Sequence, residues 1–321
     1  MQFKGISKKK LSSFVREYTI YIALVLVLAF FAVTLRGKGF FTFSNALNII
    51  RQTSAMVILG VGLTFVISTG GMDLSMGSTV GLSSLLIALA LRSGVSMPIA
   101  FLIGIATGAV VGAVNGFLYA KIRMPSFVST IAVSGIIYGI ALLPTESAPV
   151  PIADSAFNFI FGSGDLGPIP ILLLWMLGIV CIGHLMLRHM KYGKQVLAVG
   201  GNEISAKFSG INTTKIKFLV MLVSGIMSGL AGCLYAGRMH TGRCTFGEGV
   251  ETSIIAGVVL GGTIMSGGKG SIIGTLVGSL LIGMISNGLV IMGLNVAQQQ
   301  IVQGIIIILA VAFGNEQTRE A

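Results

Sequence analysis

Long apolar runs separated by short polar or glycine-rich stretches dominate the chain. They lie at about 18–35, 46–69, 74–91, 96–120, 127–143, 170–189, 216–237, 251–266, 271–292 and 298–313. A membrane-crossing helix takes about 20 mostly apolar residues, so the pattern predicts ten spans. Two runs are less regular. The 46–69 run carries Arg51 and Gln52 near its start. The 251–266 run falls just short of the usual lower limit of about 17 residues, and a re-entrant or broken helix stays open at either. The first run follows a basic stretch, but no small-residue cleavage site comes after it, so it reads as a retained span rather than a signal peptide.

Small residues recur every fourth position within several runs. Ala100, Gly104, Gly108, Gly112 and Gly116 form one such row; Gly225, Gly229, Cys233 and Gly237 form a second, and Gly270, Gly274 and Gly278 a third. Residues four apart lie on one helix face, and in lipid a smooth face lets two backbones approach closely. The rows predict a tightly packed bundle. Two segments also align at an offset of 197, with Gly60, Gly70, Gly71, Gly77 and Gly81 matching Gly257, Gly267, Gly268, Gly274 and Gly278. Internal repeats of helix groups are a transporter trait.

Composition closes off soluble folds. Of 321 residues, 54% are hydrophobic and only 10% charged, too few to cover the surface of a water-soluble domain. The fold expected is one all-α polytopic membrane domain over 1–321, with about ten transmembrane helices and both termini cytoplasmic. The net charge of +11 would suggest nucleic acid in a soluble protein. Here it follows the positive-inside rule: with the N-terminus cytoplasmic, 15 of the 21 Lys and Arg fall on that side. That places 1–17 and 192–217 in the cytoplasm and 144–170 outside. The outer segment has no Lys or Arg, and it carries Glu146, Asp154, Asp165 and five of the seven prolines. Residues 152–161 within it suggest a short interfacial amphipathic helix with Asp154 and Asn158 on its polar face.

Motifs for covalent chemistry are missing. No paired carboxylates, Ser/His/Asp set or HExxH pattern occurs, and Cys181, Cys233 and Cys244 have neither metal-site nor disulfide spacing. Gly162, Gly164 and Gly167 spell GxGxxG, but Pro168 and Pro170 follow where a phosphate-binding helix would have to begin. The stretch 263–271 approaches a P-loop, yet Thr263 replaces its first glycine and Gly270 its hydroxyl residue. No aromatic-plus-carboxylate platform for a sugar stands out. Asp73 lies at an expected cytoplasmic turn within Gly70-Gly71-Met72-Asp73-Leu74-Ser75-Met76-Gly77. A cap on the next helix is the first reading of this acid, and a proton or solute site the second.

The loop 192–217 has helix punctuation: Asn202 can cap a helix through Phe208, and Gly210 can stop it. Glu203 and Lys207 stand four apart, the favourable order for an ion pair. Ile204, Phe208 and Ile211 make an apolar edge that suits a soluble partner.

These stretches resemble a known family. VGLTFVISTGGMDLSMGS at 61–78, MPSFVSTIAVSGI at 124–136, LAVGGNEISAKFSGINTTKIK at 197–217 and AGVVLGGTIMSGGKGSIIGT at 256–275 are similar to the membrane permease subunits of ribose-type ABC importers. The resemblance covers nearly the whole chain. It implies a permease domain of the type II importer kind, in the cytoplasmic membrane, that carries a small polar solute such as a monosaccharide. It also implies a second permease copy, identical or related, a cytoplasmic ATP-binding subunit and an extracytoplasmic solute-binding protein. No cofactor would sit on this chain, since ATP belongs to the partner. The helix-break motifs map onto Gly70, Gly71, Asp73, Ser75, Gly77, Gly267, Gly268 and Gly274. The ATPase-coupling loop maps onto Gly200, Gly201, Asn202, Glu203, Ala206, Phe208, Ser209 and Gly210. Met72, Met76 and Cys244 depart mildly from the family pattern. Within the loop, a bulky β-branched residue at Gly201 is expected to disturb coupling more than a replacement of Glu203, by blocking a close approach or straining a turn. An ion-coupled secondary transporter, suggested by the broken-helix glycines and Asp73, is the alternative; a polytopic enzyme is disfavoured by the empty catalytic inventory.

Overall fold

The computed structural model describes residues 24–316. The basic N-terminal stretch, the beginning of the first apolar run and Arg319 lie outside those residues. The described chain is mostly helical. In order come α1 (Leu24–Thr34), α2 (Phe43–Ser68), α3 (Met76–Arg92), α4 (Met97–Ala120) and α5 (Ser126–Leu142). A one-turn α6 (Ser155–Asn158) runs into a π-helical turn (Phe159–Ser163), and then come α7 (Ile171–Arg188), α8 (Lys191–Gly201) and α9 (Glu203–Phe208). The last are α10 (Thr213–Met239), α11 (Val250–Leu260), α12 (Ile272–Ile291) and α13 (Val296–Glu316). Two short antiparallel pairings join β1 (Val150–Pro151) to β4 (Thr241–Gly242) and β2 (Asp165–Leu166) to β3 (Ile169–Pro170).

Among the described residues, five helices, α2, α4, α7, α10 and α12, are long and apolar enough to cross a membrane, while α1, α3, α5 and α11 are apolar but shorter. α2 is buried on every side from Thr53 to Ser68, as a helix enclosed by others must be. The two irregular runs resolve differently. The 46–69 run is one unbroken helix of 26 residues. The 251–266 run yields a helix of only 11 residues, about 16 Å long and so half a bilayer core.

The glycine rows are where backbones touch. α10 packs most extensively on α4. A Cβ added at Gly108 would strike the Gly225 carbonyl and come within 2.7 Å of the Gly229 nitrogen. At Gly112 it would lie 2.6 Å from the Met221 carbonyl, and at Gly116 and Gly104 it would be 2.9 Å from Phe218 and the Cys233 sulfur. The third row packs on α11, Gly274 against Gly261 and Gly278 against Gly257. The aligned segments at offset 197 also meet, with Thr64 and Thr275 sharing a hydroxyl hydrogen bond of 2.7 Å. Outward-facing positions stay apolar: Leu102, Val110, Ile136, Ile140 and Ile182 are all exposed, a surface suited to lipid.

Within the 144–170 segment, residues 152–161 depart from the expected amphipathic helix. Asp154 caps α6 by accepting from the Phe157 amide at 2.9 Å. Asn158 is buried rather than exposed, donating to the Ile152 carbonyl at 3.0 Å. The helix changes to a π turn at Phe159 and stops at Gly164. Gly162 packs so tightly on Gly237 and Arg238 that no Cβ fits, so the GxGxxG glycines serve packing and a hairpin.

Candidate functional site

Two of the helices, α3 and the half-length α11, start inside the bundle because the chain reaches them as non-helical backbone. After α2 the chain turns at Gly70, whose φ of +79° suits glycine, and runs without helical bonds to Ser75. Backbone amides freed at membrane depth need partners within the protein, and α5 supplies them. Met72 donates to Ser126 Oγ at 2.9 Å and Leu74 to Thr130 Oγ1 at 3.1 Å, and one turn further Ser78 and Ser134 share a hydrogen bond of 2.7 Å. Ser126, Thr130 and Ser134 are spaced by four and so form one polar row along α5.

The second break mirrors the first. Beyond α10 the segment 241–249 folds back along α3. Gly242 packs on Ser84 and Ala88, the Cys244 carbonyl on Gly81, and Gly247 on Gly77. Any Cβ at Gly77 or Gly81 would overlap this segment. α11 then begins beside the start of α3, with the Glu251 carboxylate against Gly77. Two helix N-termini of a broken pair thus converge on one carboxylate, the sign of charge that their free amides favour.

Asp73 is neither an exposed turn residue nor a cap of α3. It is only 2% exposed, and the N-cap residue of α3 is Ser75, whose helix receives no side-chain cap. Asp73 Oδ1 accepts from the Ser75 amide at 3.0 Å and hydroxyl at 2.7 Å, while Oδ2 accepts from Ser224 Oγ at 2.7 Å. Ser75 Oγ in turn accepts from Asn115 Nδ2 at 2.7 Å. Ser224 stands three turns into α10, roughly 16 Å from its start. Asp73 is therefore a mid-bundle knot that fastens the break to α10 and α4.

At the end of the bundle formed by α8 and α9, three glycine pairs from distant parts of the sequence meet. Gly268 donates to the Ser68 carbonyl at 3.0 Å. Gly200 lies against that same carbonyl, and a Cβ on it would overlap the oxygen and come 2.5 Å from the Gly268 nitrogen. Gly267, at φ +89°, leaves only 2.8 Å between an ideal Cβ and the Gly200 carbonyl and 2.9 Å to the Gly70 nitrogen. A Cβ added at Gly71 would lie 3.2 Å from the Tyr119 hydroxyl. The coupling-loop and helix-break motifs are thus one contact. Gly201 is not its tight member: its Cβ would have nothing nearer than Gly268 Cα at 3.9 Å, an ordinary contact, and its φ is not positive. The intolerant position is Gly200.

Beyond this junction, Asn202 caps α9 by accepting from the Ser205 amide at 2.9 Å, and Gly210 ends the turn at φ +81°. Ala206 is buried, and Ser209 bonds back to the Ser205 carbonyl at 2.9 Å. Glu203 pairs with Lys217 at 2.6 Å, not with Lys207. α9 is only six residues long, and α10 brings Lys217 nearer. Lys217 also stands 5.1 Å over the Tyr119 ring, linking α9 to Gly71. Of the apolar edge, Ile204 and Phe208 are exposed, at 71% and 88%, but Ile211 turns inward against the core.

Residues 45–311 match the family model described as "Branched-chain amino acid transport system / permease component". The chain belongs to this permease family. It is a component of an ABC transporter, a multi-pass membrane protein and not an enzyme. Ribose import permease protein RbsC of Escherichia coli K12 is 37% identical over 94% of each chain. The D-allose transport system permease protein AlsC of the same organism is 33% identical over 92% of this chain and 90% of that one. Its galactose/methyl galactoside import permease protein MglC is 32% identical over 96% of each. Among solved structures, PsaBC from Streptococcus pneumoniae in complex with Fab aligns over 92% of this chain and 96% of that chain, at 18% identity and a TM-score of 0.49.

In this permease a polar group of residues also comes together that the motifs did not point to. Ser78, Ser134, Tyr138, Phe246, Glu248 and Glu251 line one cavity beside the meeting helix N-termini. The Ser126, Thr130 and Ser134 spacing was a legible signal. Glu248 and Glu251 carried none of their own, because 241–249 has no periodic pattern that shows it doubling back.

Proposed function

We propose that this permease forms the passage of an ATP-driven importer for a monosaccharide delivered by a soluble binding protein. One observation carries the solute class: the similarity to ribose, D-allose and galactose permeases runs nearly end to end. Membership of an ABC permease family favours ATP over an ion gradient as the driving force. The α8–α9 end and both termini face the cytoplasm, as the charge asymmetry requires, and 144–170 faces the binding protein. The chain crosses about ten times in a type II-like bundle, with α3 and α11 as its broken spans, and works beside a second permease copy.

The coupling reading follows from the junction. Ile204 and Phe208 present an apolar edge for the ATPase, and Gly200 rests directly on the turns that lead into α3 and out of α11. A displacement of α8 and α9 cannot be absorbed where three backbones touch, so it reaches both broken helices. ATP binding then favours one permease state through the contacts it makes at this end.

The test is D-ribose uptake by proteoliposomes containing the complete importer, with ATP enclosed or with an ion gradient alone. Uptake that requires ATP is expected. Gradient-driven uptake without ATP would contradict the mode of energy supply, and uptake of leucine but no sugar would contradict the solute class.

A further inference from the structure

The cavity between α3, α5 and the start of α11 has about 260 Å³ of room, just under the range of about 300–1,000 Å³ that accommodates drug-sized ligands. Its walls come from three separate segments. Ser78 and Ser134 stand on facing helices, Tyr138 is one turn further along α5, and Phe246, Glu248 and Glu251 come from the doubled-back segment and the first turn of α11. Phe246 is held by a stacked contact with Tyr235 at 5.9 Å between ring centroids.

This mixture is selective. Ionised carboxylates are acceptors only, whereas each serine hydroxyl and the tyrosine hydroxyl can both donate and accept. The lining therefore suits a ligand that offers several hydroxyls over a small area. The ring faces of Tyr138 and Phe246 suit the apolar C–H face of such a ligand. No Lys or Arg is in the lining, so an anion or the carboxylate of a zwitterionic amino acid would meet two glutamates with no compensating cation. The family model's amino-acid description is thus not matched by this cavity.

We infer that this cavity is a transient binding station for a single neutral polyhydroxylated ring on its way across the membrane. Glu248 and Glu251 accept from its hydroxyls, Ser78 and Ser134 complete the polar edge, and Tyr138 and Phe246 cover its apolar face. The station rests on the monosaccharide-importer reading above and gives that reading a location, a site bounded by the first turns of both broken helices. Aromatic and carboxylate groups for a sugar are therefore present after all: Phe246, Glu248 and Glu251 share one short segment, and the fold brings Tyr138 to them from α5.

The experiment is ATP-driven uptake of D-ribose, D-allose and D-galactose by the complete importer in proteoliposomes. If the wild-type importer takes up none of them, the monosaccharide reading itself fails. Once wild-type uptake of one sugar is established, variants decide the station. Glu248→Gln and Tyr138→Leu are expected to slow that uptake about tenfold, the scale of one lost charge-assisted hydrogen bond or ring contact, while purified yield and sugar binding by the soluble binding protein stay as in wild type. Gly135 also lines the cavity, and Gly139 does not; a Cβ at either meets nothing within 4 Å, so both tolerate bulk. Gly135→Phe is expected to block uptake and Gly139→Phe to leave it within about twofold of wild type. Uptake within twofold for Glu248→Gln and Tyr138→Leu, or equal loss from the two glycine variants, would overturn the station.

Discussion

At the scale of single residues, Asp73 separates a structural from a chemical role for a buried acid. Its oxygens accept three hydrogen bonds, from the Ser75 amide and hydroxyl and from Ser224. An asparagine of the same shape can keep its oxygen on Ser75 and donate from its nitrogen to Ser224, whose hydroxyl can turn to accept. It also avoids burying a charge. An alanine leaves the Ser75 amide without a partner, at a cost of about 1–3 kcal/mol for each orphaned group. Asp73→Asn is therefore expected to melt and transport like wild type in detergent and in proteoliposomes, and Asp73→Ala to melt lower. Normal stability with abolished transport in Asp73→Asn would show instead that the charge itself is used, for a proton or for the solute.

Helix pairs are set by what their facing rows allow. The α4–α10 contact exists because glycine meets glycine, and a Leu at Gly108 would have to displace the Gly225 carbonyl and the Gly229 amide together. Gly178 on α7 offers the opposite case, since a Cβ there meets nothing within 4 Å. Gly108→Leu is expected to reduce the yield of folded permease severalfold, because overpacking where backbones touch cannot be relieved by a rotamer change. Gly178→Leu is expected to purify in normal yield. Size-exclusion profiles of the two variants check the contrast, and equal behaviour would mean that the α4 row does not hold the bundle together. The same scale explains the two corrected pairings. Glu203 and Lys207 have suitable spacing, but α9 is too short to fix them against a competing Lys217, and the apolar edge loses Ile211 to the core.

Across the whole molecule, the long helices were legible because each is a largely apolar run and a bilayer demands internal satisfaction of the backbone. The double glycines announced breaks, yet not their partners. That Gly200, Gly268 and Ser68 form a single contact depends on three segments far apart in sequence, and so does the polar cavity. The descent of 241–249 was hidden because extended backbone packed against α3 has no periodic pattern of its own; its sign in the sequence is indirect, in the glycines at 77 and 81. Asp73 was misplaced for a related reason. A turn at Gly70 suggested the membrane edge, whereas the extended stretch after it climbs back into the bundle before α3 begins.

In the proposed coupling route, motion at the α8–α9 end reaches the broken helices through the Gly200 contact. The most direct measurement is solute transported per ATP hydrolysed by the reconstituted importer, compared between Gly200→Ala and Gly201→Ala. A methyl group at Gly200 overlaps the Ser68 carbonyl, while one at Gly201 lies at an ordinary distance from Gly268. Gly200→Ala is therefore expected to hydrolyse ATP with uptake reduced at least tenfold per ATP, and Gly201→Ala to keep the wild-type ratio. A wild-type ratio in Gly200→Ala, with the variant folded and assembled, would contradict the claim.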